Sequence, residues 1–232
     1  RDTKPEITIS DATVEKLEAE SKYIIIEGIG GIGKSMFLTH LFLSSAQNST
    51  YSSVVPLFLS LKDYKDTTDN VVDFIWKSIC EYDSKISKKD IIEALQNKEL
   101  ILLLDGFDEI QTSVRESFQS DLEAFIKSYN GNTIIMTSRP IYDSFVSFSK
   151  FSVFDIKPLT KKQALALIDK LEFWDEIAKK SFMEALDNKL YYSHLQFASN
   201  PLLLTIMLMT YSSFGEVPAK MHVFYSKAYE TM

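Results

Sequence analysis

Gly28-Ile29-Gly30-Gly31-Ile32-Gly33-Lys34-Ser35 carries the most specific pattern in this chain. It follows the apolar run Tyr23-Ile24-Ile25-Ile26 and precedes Met36, Phe37, Leu38 and Leu41, which recur at helical spacing. Strand, glycine-rich turn and helix in that order, with G-x-x-x-x-G-K-[ST] spacing, form a cradle for a polyphosphate. Four of the chain's seven glycines fall within these eight positions. A backbone without Cβ can take positive φ there and turn successive N–H groups onto phosphate oxygens. Lys34 is expected to reach the β and γ phosphates, and Ser35 Oγ to ligate Mg²⁺. The first helical turn, with Met36, adds its dipole. Gly28, Gly30, Gly31, Ile32, Gly33, Lys34, Ser35 and Met36 are therefore the expected nucleotide-binding set. The alternative is a glycine-rich turn without a ligand.

Apolar runs of strand length recur at Tyr23 to Ile26, Val54 to Leu61, Leu100 to Leu104, Thr133 to Met136 and Phe151 to Ile156. Segments of helical period separate them, so a parallel sheet covered on both faces is expected. Ser113 with Glu116 predicts a capping box ahead of Val114, Phe118, Leu122, Phe125 and Tyr129. Thr160 with Gln163 predicts a second, and from there the pattern is helical throughout. Asn200-Pro201 offers a cap followed by proline at the first helical position, leading into the apolar run Leu202 to Met209. Proline and a change of period coincide near Pro158. The expected organisation is an α/β domain over 1–158 and a small helical domain over 159–232.

Leu100-Ile101-Leu102-Leu103-Leu104-Asp105 reads as a buried strand delivering a carboxylate to its C-terminal end, the edge where open α/β sheets bind ligands. Asp105 is expected to hold Mg²⁺ through water. Asp108 and Glu109 follow within one turn, close enough to orient an attacking water, with Glu109 the first choice of base and Asp108 the second. A solvated Asp-Gly turn is the alternative for this cluster.

The chain has three arginines, Arg1, Arg115 and Arg139. Arg139 lies just past the Thr133-Ile134-Ile135-Met136 strand, placed to contact a terminal phosphate with a bidentate guanidinium, unless it serves only a surface ion pair. Arg115 is the one internal candidate for a finger reaching a neighbouring subunit. Arginine fingers raise hydrolysis by roughly 10³ to 10⁵ fold, so a chain this poor in arginine is expected to be slow and switch-like.

With 32 acidic residues against 25 Lys and Arg, the formal charge is −7. General nucleic-acid binding by phosphate neutralisation is therefore not expected. The single cysteine, Cys80, permits no internal disulfide and is consistent with a reducing, cytoplasmic setting. The longest apolar stretch, Pro201 to Tyr211, is about half of the ~20 residues that span a bilayer. The chain starts at Arg1 and stops at Met232 within a helix-like pattern, as a piece of a longer protein would. His40, His194 and His222 are too scattered for a metal site. Trp76 and Trp174 are expected in the core, and the Lys88-Lys89, Lys161-Lys162 and Lys179-Lys180 pairs on solvated faces. Neither Asn97-Lys98-Glu99-Leu100 nor Asn188-Lys189-Leu190-Tyr191 completes the N-K-x-D signature of guanine-specific proteins, which favours adenine by default.

Taken together, the chain resembles the NACHT family of signal-transducing ATPases. The resemblance rests on Glu27-Gly28 to Ser35, Leu102 to Glu109, Thr137-Ser138-Arg139-Pro140 and Asn200-Pro201-Leu202-Leu203-Leu204. It implies an ASCE-type P-loop NTPase, a parallel five-stranded sheet of order 5-1-4-3-2 flanked by helices, and a small C-terminal all-helical domain. It implies ATP or ADP with Mg²⁺ as cofactors, and Pro201 near the adenine. It further implies an ADP-locked state, exchange for ATP, self-assembly with other copies, and sensor and effector domains outside this stretch. A winged-helix domain beyond Met232 would complete the usual arrangement, so His222 receives no nucleotide role. Immune or antiviral defence is the setting such modules serve. Two other functions stay open: a remodelling or nucleic-acid-dependent ATPase, and a nucleotide-binding scaffold that does not hydrolyse.

Overall fold

The protein is described by a computed structural model for residues 7–47, 54–64, 70–140, 148–218, 223–226 and 229. Among the described residues there are five strands: β1 (Tyr23–Glu27), β2 (Val55–Ser60), β3 (Leu100–Asp105), β4 (Thr133–Ser138) and β5 (Ser152–Asp155). Helices among the described residues include α1 (Val14–Glu18), α2 (Lys34–Gln47), α3 (Val71–Cys80), α4 (Lys88–Gln96), α5 (Thr112–Ser128), α6 (Lys161–Lys170), α7 (Glu176–Ala185), α8 (Tyr191–Ser193), α9 (Leu195–Ala198) and α10 (Pro201–Phe214). All strand pairs are parallel, and the order across the sheet is β2-β3-β4-β1-β5. This is the expected 5-1-4-3-2 order read from the other edge.

The chain divides into two compact units, one of Arg1–Gly28 and Lys34–Asp155, the other of Ile29–Gly33 and Ile156–Met232. In the first, β3 is buried from Leu100 to Leu104 because both of its faces are covered. Leu100, Leu102 and Leu104 join a core with Ile75 of α3, Leu95 of α4 and Phe118, Leu122 and Phe125 of α5. Ile101 and Leu103 point the other way, as a period of two requires, onto the face covered by α2 with Leu38 and Leu41. A run of consecutive apolar residues thus becomes a central parallel strand.

Phe118 is fully buried, with its ring 4.9 Å from that of Tyr64 and 6.0 Å from that of Phe107. Phe118→Ala is expected to cost about 3–5 kcal/mol, since neighbours collapse only partly into the space left. Urea unfolding of the two proteins measures it, and a loss under 1 kcal/mol would contradict this packing.

The second unit has its own core, with Ala164 and Ile168 of α6, Phe182 of α7, Phe197 of α9 and Leu204, Met207 and Leu208 of α10. The Thr160–Gln163 capping box is formed: Thr160 Oγ1 accepts from Gln163 N at 3.3 Å and Gln163 Oε1 accepts from Thr160 N at 2.9 Å. Asn200 caps α10 with Pro201 at its start, as expected.

Three expectations are corrected. No capping box forms at Ser113 and Glu116: α5 starts earlier, at Thr112, behind Gln111, which makes no side-chain cap. The extended backbone at Ile110 and Gln111, coming off a tight 3₁₀ turn, moves the helix start upstream of the hydroxyl that would have capped it. Trp174 is 74 % exposed, its ring lying 4.0 Å from that of Phe173, because it falls between α6 and α7 rather than on a helical face. Lys179 is buried, and its Nζ donates to the carbonyls of Asp169 (3.0 Å) and Leu171 (2.8 Å), satisfying the end of α6. His222 lies outside the described residues, as does most of the stretch after Pro218.

Candidate nucleotide-binding site

The strand order sets the geometry. In the first unit β4 lies between β3 and β1, and the register pairs Leu104 with Met136 and Glu27 with Ser138. The C-terminal ends of three adjacent strands therefore deliver Gly28, Asp105 and Arg139 to the same sheet edge. Gly28 N donates to Ser138 O at 3.3 Å, extending the β1–β4 ladder to the start of the loop.

Lys34 opens α2, and its Nζ donates to Gly28 O at 2.6 Å, closing the loop's base. Burial pushes the Lys34 ammonium below the ordinary lysine range. Asp108 pulls it back up, Arg139 lowers it further, and Asp105 and Glu109 raise it. The lysine thus sits within electrostatic reach of the residues delivered by β3 and β4. Ser35 and Met36 occupy the exposed first turn of α2.

Asp105 ends β3 and is held from β4 by Thr137, the first residue of the Thr137-Ser138-Arg139-Pro140 stretch. Thr137 is fully buried; its hydroxyl donates to Asp105 Oδ1 at 2.6 Å and accepts from Gly106 N at 2.9 Å. A threonine on a central strand is ordinary in sequence, and only the β3–β4 pairing shows that its hydroxyl meets a carboxylate. Gly106 then takes φ +80, and a Cβ there would come within 3.1 Å of the Glu109 side chain. The left-handed turn feeds a 3₁₀ turn, Phe107–Glu109, in which Glu109 N donates to Gly106 O at 2.9 Å.

Asp108 and Arg139 form a two-point pair: Arg139 N donates to Asp108 Oδ1 at 2.9 Å, and Arg139 Nε lies 3.2 Å from Asp108 Oδ2. The Asp108 side chain is 15 % exposed and that of Arg139 62 %, so the pair is anchored on the acid and open on the guanidinium. Arg115, the candidate finger, is turned inward. Its Nη2 donates to the carbonyls of Asp108 and Ile110, each at 3.0 Å, and its guanidinium lies 5.8 Å from the centre of the Phe107 ring. It braces the acidic turn of its own chain, and nothing in the spacing of α5 could have distinguished the two uses.

The loop tip, Ile29–Gly33, belongs to the second unit. Gly31 and Gly33 have φ +75 and +102, the conformations expected of the cradle. Pro201 is the first residue of α10, and the residue before it, Asn200, donates from Nδ2 to Gly30 O at 2.9 Å.

The donor chemistry fits a phosphate with a hard cation. Positive-φ glycines, a lysine and the start of a long helix suit an anion, while Ser35 and Asp105 supply the oxygen ligands that Mg²⁺ prefers. Among the described residues there is no group of three or more His, Cys, Asp or Glu side chains able to hold a metal by themselves. No helix among the described residues is long and apolar enough to cross a membrane.

None of the curated proteins matches this chain. A signal transduction ATPase with numerous domains (STAND) carrying a tetratricopeptide repeat sensor, from Pyrococcus horikoshii, is similar over 98% of this chain at 15% identity and a TM-score of 0.50. The chain spans 33% of that protein's length, and the likeness is one of fold. Domain III of the replication initiation protein DnaA from Thermotoga maritima aligns with a TM-score of 0.49 and 16% identity, over 94% of this chain and 86% of that one. The NACHT domain model matches residues 22–172, a stretch that carries the glycine loop, Asp105 to Glu109 and Arg139. A match over more than half of the sequence, on a five-stranded parallel sheet in the order just described, makes this chain a member of the NACHT family of P-loop NTPases.

Proposed function

We propose that this chain is the nucleotide-binding and slowly hydrolysing core of a signalling switch, in which ATP or ADP with Mg²⁺ sets the activity of a longer protein. The observation that carries this reading is the convergence of Lys34, Asp105, Asp108 and Arg139 at one sheet edge, with Lys34 coupled to all of them. In this reading the loop amides and Lys34 bind the phosphates, and Ser35 together with Asp105 holds Mg²⁺, Asp105 through water. Bound Mg²⁺ would neutralise charge on the β and γ phosphates. Pro201 would lie near the adenine.

Glu109 is the proposed base. The Asp108–Arg139 pair supports that choice over Asp108, because both Asp108 oxygens are already turned to Arg139 and not to an attacking water. Arg139, with its guanidinium open, would meet the terminal phosphate. The inward use of Arg115 leaves Arg139 as the arginine among the described residues placed at the sheet edge, which supports slow turnover and exchange-driven switching. Exchange of ADP for ATP would then favour assembly with other copies, and immune or antiviral defence is the setting the family suggests.

Nucleotide titrations of the purified chain with and without Mg²⁺, followed by single-turnover hydrolysis, test this reading. The expected result is micromolar or tighter binding of ATP and ADP with turnover well below one per second. Turnover of tens per second by the monomeric full-length protein, or many-fold stimulation by DNA or RNA, would replace the switch with a motor or nucleic-acid-dependent ATPase.

A further inference from the structure

Asn200 makes more bonds than a helix cap needs. Its Oδ1 accepts from Leu203 N at 3.2 Å, which is the capping bond. Serine, threonine or aspartate would supply that acceptor equally well. The other half of the carboxamide, which only asparagine offers among the common caps, donates to Gly30 O at 2.9 Å. The residue is 2 % exposed, so both halves work out of reach of bulk water. Two residues on, Leu202 N, one of the amides that the first turn of a helix cannot pair internally, donates to Gly31 O at 3.3 Å. Consecutive loop carbonyls are thus taken by the start of α10.

The approach is close. A Cβ on Gly31 would lie 2.8 Å from Leu202 Cβ and 2.9 Å from Asn200 Oδ1, so residue 31 must be glycine for contact as well as for its positive φ. The consequence for the loop follows from peptide planarity. In a trans peptide the C=O of one residue and the N–H of the next point in opposite directions. Holding the Gly30 carbonyl toward Asn200 therefore turns the Gly31 N–H away from α10, and holding the Gly31 carbonyl does the same to the Ile32 N–H. A phosphate cradle needs loop carbonyls facing out and amides facing in.

We propose that Asn200 is a positioning residue for the phosphate loop: its carboxamide joins the cap of α10 to the Gly30–Gly31 peptides and holds their amides ready for the polyphosphate tail of a nucleoside di- or triphosphate. This rests on the nucleotide-binding reading above and adds to it a residue that touches neither phosphate nor base. The loop conformation and the start of α10 become one structural event, so that a phosphate on the loop is felt at α10.

Asn200→Ser separates the two roles. Serine caps a helix well, yet its hydroxyl is too short to bond Leu203 N and also reach Gly30 O. In the full chain, the variant should melt within a few degrees of the parent. Its Kd for Mg²⁺-ATP and Mg²⁺-ADP should rise about tenfold, the effect of one hydrogen bond lost from a preorganised loop. Hydrogen exchange at the amides of residues 29–33, measured without nucleotide, should quicken, while exchange within α10 beyond Leu202 stays unchanged. Asn200→Asp, which keeps the capping oxygen and removes the donor, is the second variant should the first fail to fold, with the same outcome expected.

Unchanged affinity and unchanged loop exchange in a folded variant would overturn the proposal. So would faster exchange spread equally over the loop and α10, which a lost cap alone would produce. Parent and Lys34→Ala proteins are titrated alongside. If the parent binds, Lys34→Ala does not, and Asn200→Ser matches the parent, Asn200 has no such role and the nucleotide reading survives. If the parent does not bind, both fall.

Discussion

Lys34→Ala should reduce the affinity of this chain for Mg²⁺-ATP by about 10² to 10³ fold while leaving the fold intact. Lys34 Nζ sits 2.6 Å from Gly28 O, at the base of the glycine loop, and burial has already stripped part of its hydration. Charge-assisted hydrogen bonds to phosphate contribute about 1.5–3 kcal/mol each, and a lysine bridging two phosphates makes more than one. Part of the desolvation of the ammonium precedes ligand binding, so its attraction for an anion is offset less by fresh dehydration. The same burial predicts a pH effect with a definite sign. A lysine held below its ordinary range loses its proton at lower pH than an exposed one, so its share of the affinity should fade earlier as pH rises. Isothermal titration across neutral to alkaline pH measures both effects, with far-UV circular dichroism as the control for folding. A variant that binds within threefold of the parent would end the account of the site.

Glu109→Gln should slow single-turnover ATP hydrolysis by about 10² fold or more while leaving Kd within a factor of a few, because general-base catalysis contributes roughly 10² to 10⁴ fold. The amide keeps the shape of the acid and its packing over Gly106, where Glu109 atoms lie close to the missing Cβ. Proton acceptance is lost, together with one of several negative charges near Lys34. Asp108→Asn should behave differently. It weakens the pair with Arg139 and should disturb discrimination between ATP and ADP more than the chemical step. Equal rates for Glu109→Gln and parent would mean that no base resides there and would favour the non-hydrolysing scaffold.

The contrast between Asp108 and Glu109 marks where sequence reading stopped. Both acids follow a buried strand, and spacing alone ranks them only weakly. The partner that separates them, Arg139, lies 31 residues from Asp108 and meets it across the sheet edge. Arg115 shows the same limit. Four residues into α5 it could face solvent or turn back, and two backbone carbonyls of the preceding turn decide the matter. Trp174 and Lys179 reversed the usual order of burial for comparable reasons. A tryptophan between two short helices finds no face to cover it, while a lysine beside unpaired helix-end carbonyls finds partners that make its burial affordable.

The features legible in the residues alone are local and periodic: five strands, their parallel arrangement, the positive-φ glycine loop, the carboxylate at the end of β3 and the caps at Thr160 and Asn200. Each is encoded within a few neighbouring residues, through alternation, helical spacing or the freedom of glycine. The tertiary structure decided what those groups touch. Thr137 on Asp105, Arg139 on Asp108, Arg115 on the acidic turn and Asn200 on Gly30 all depend on segments brought together by folding. Side-chain hydrogen bonds act over about 3 Å, so their partners are set by where the backbone goes and not by how far apart two residues stand in the chain.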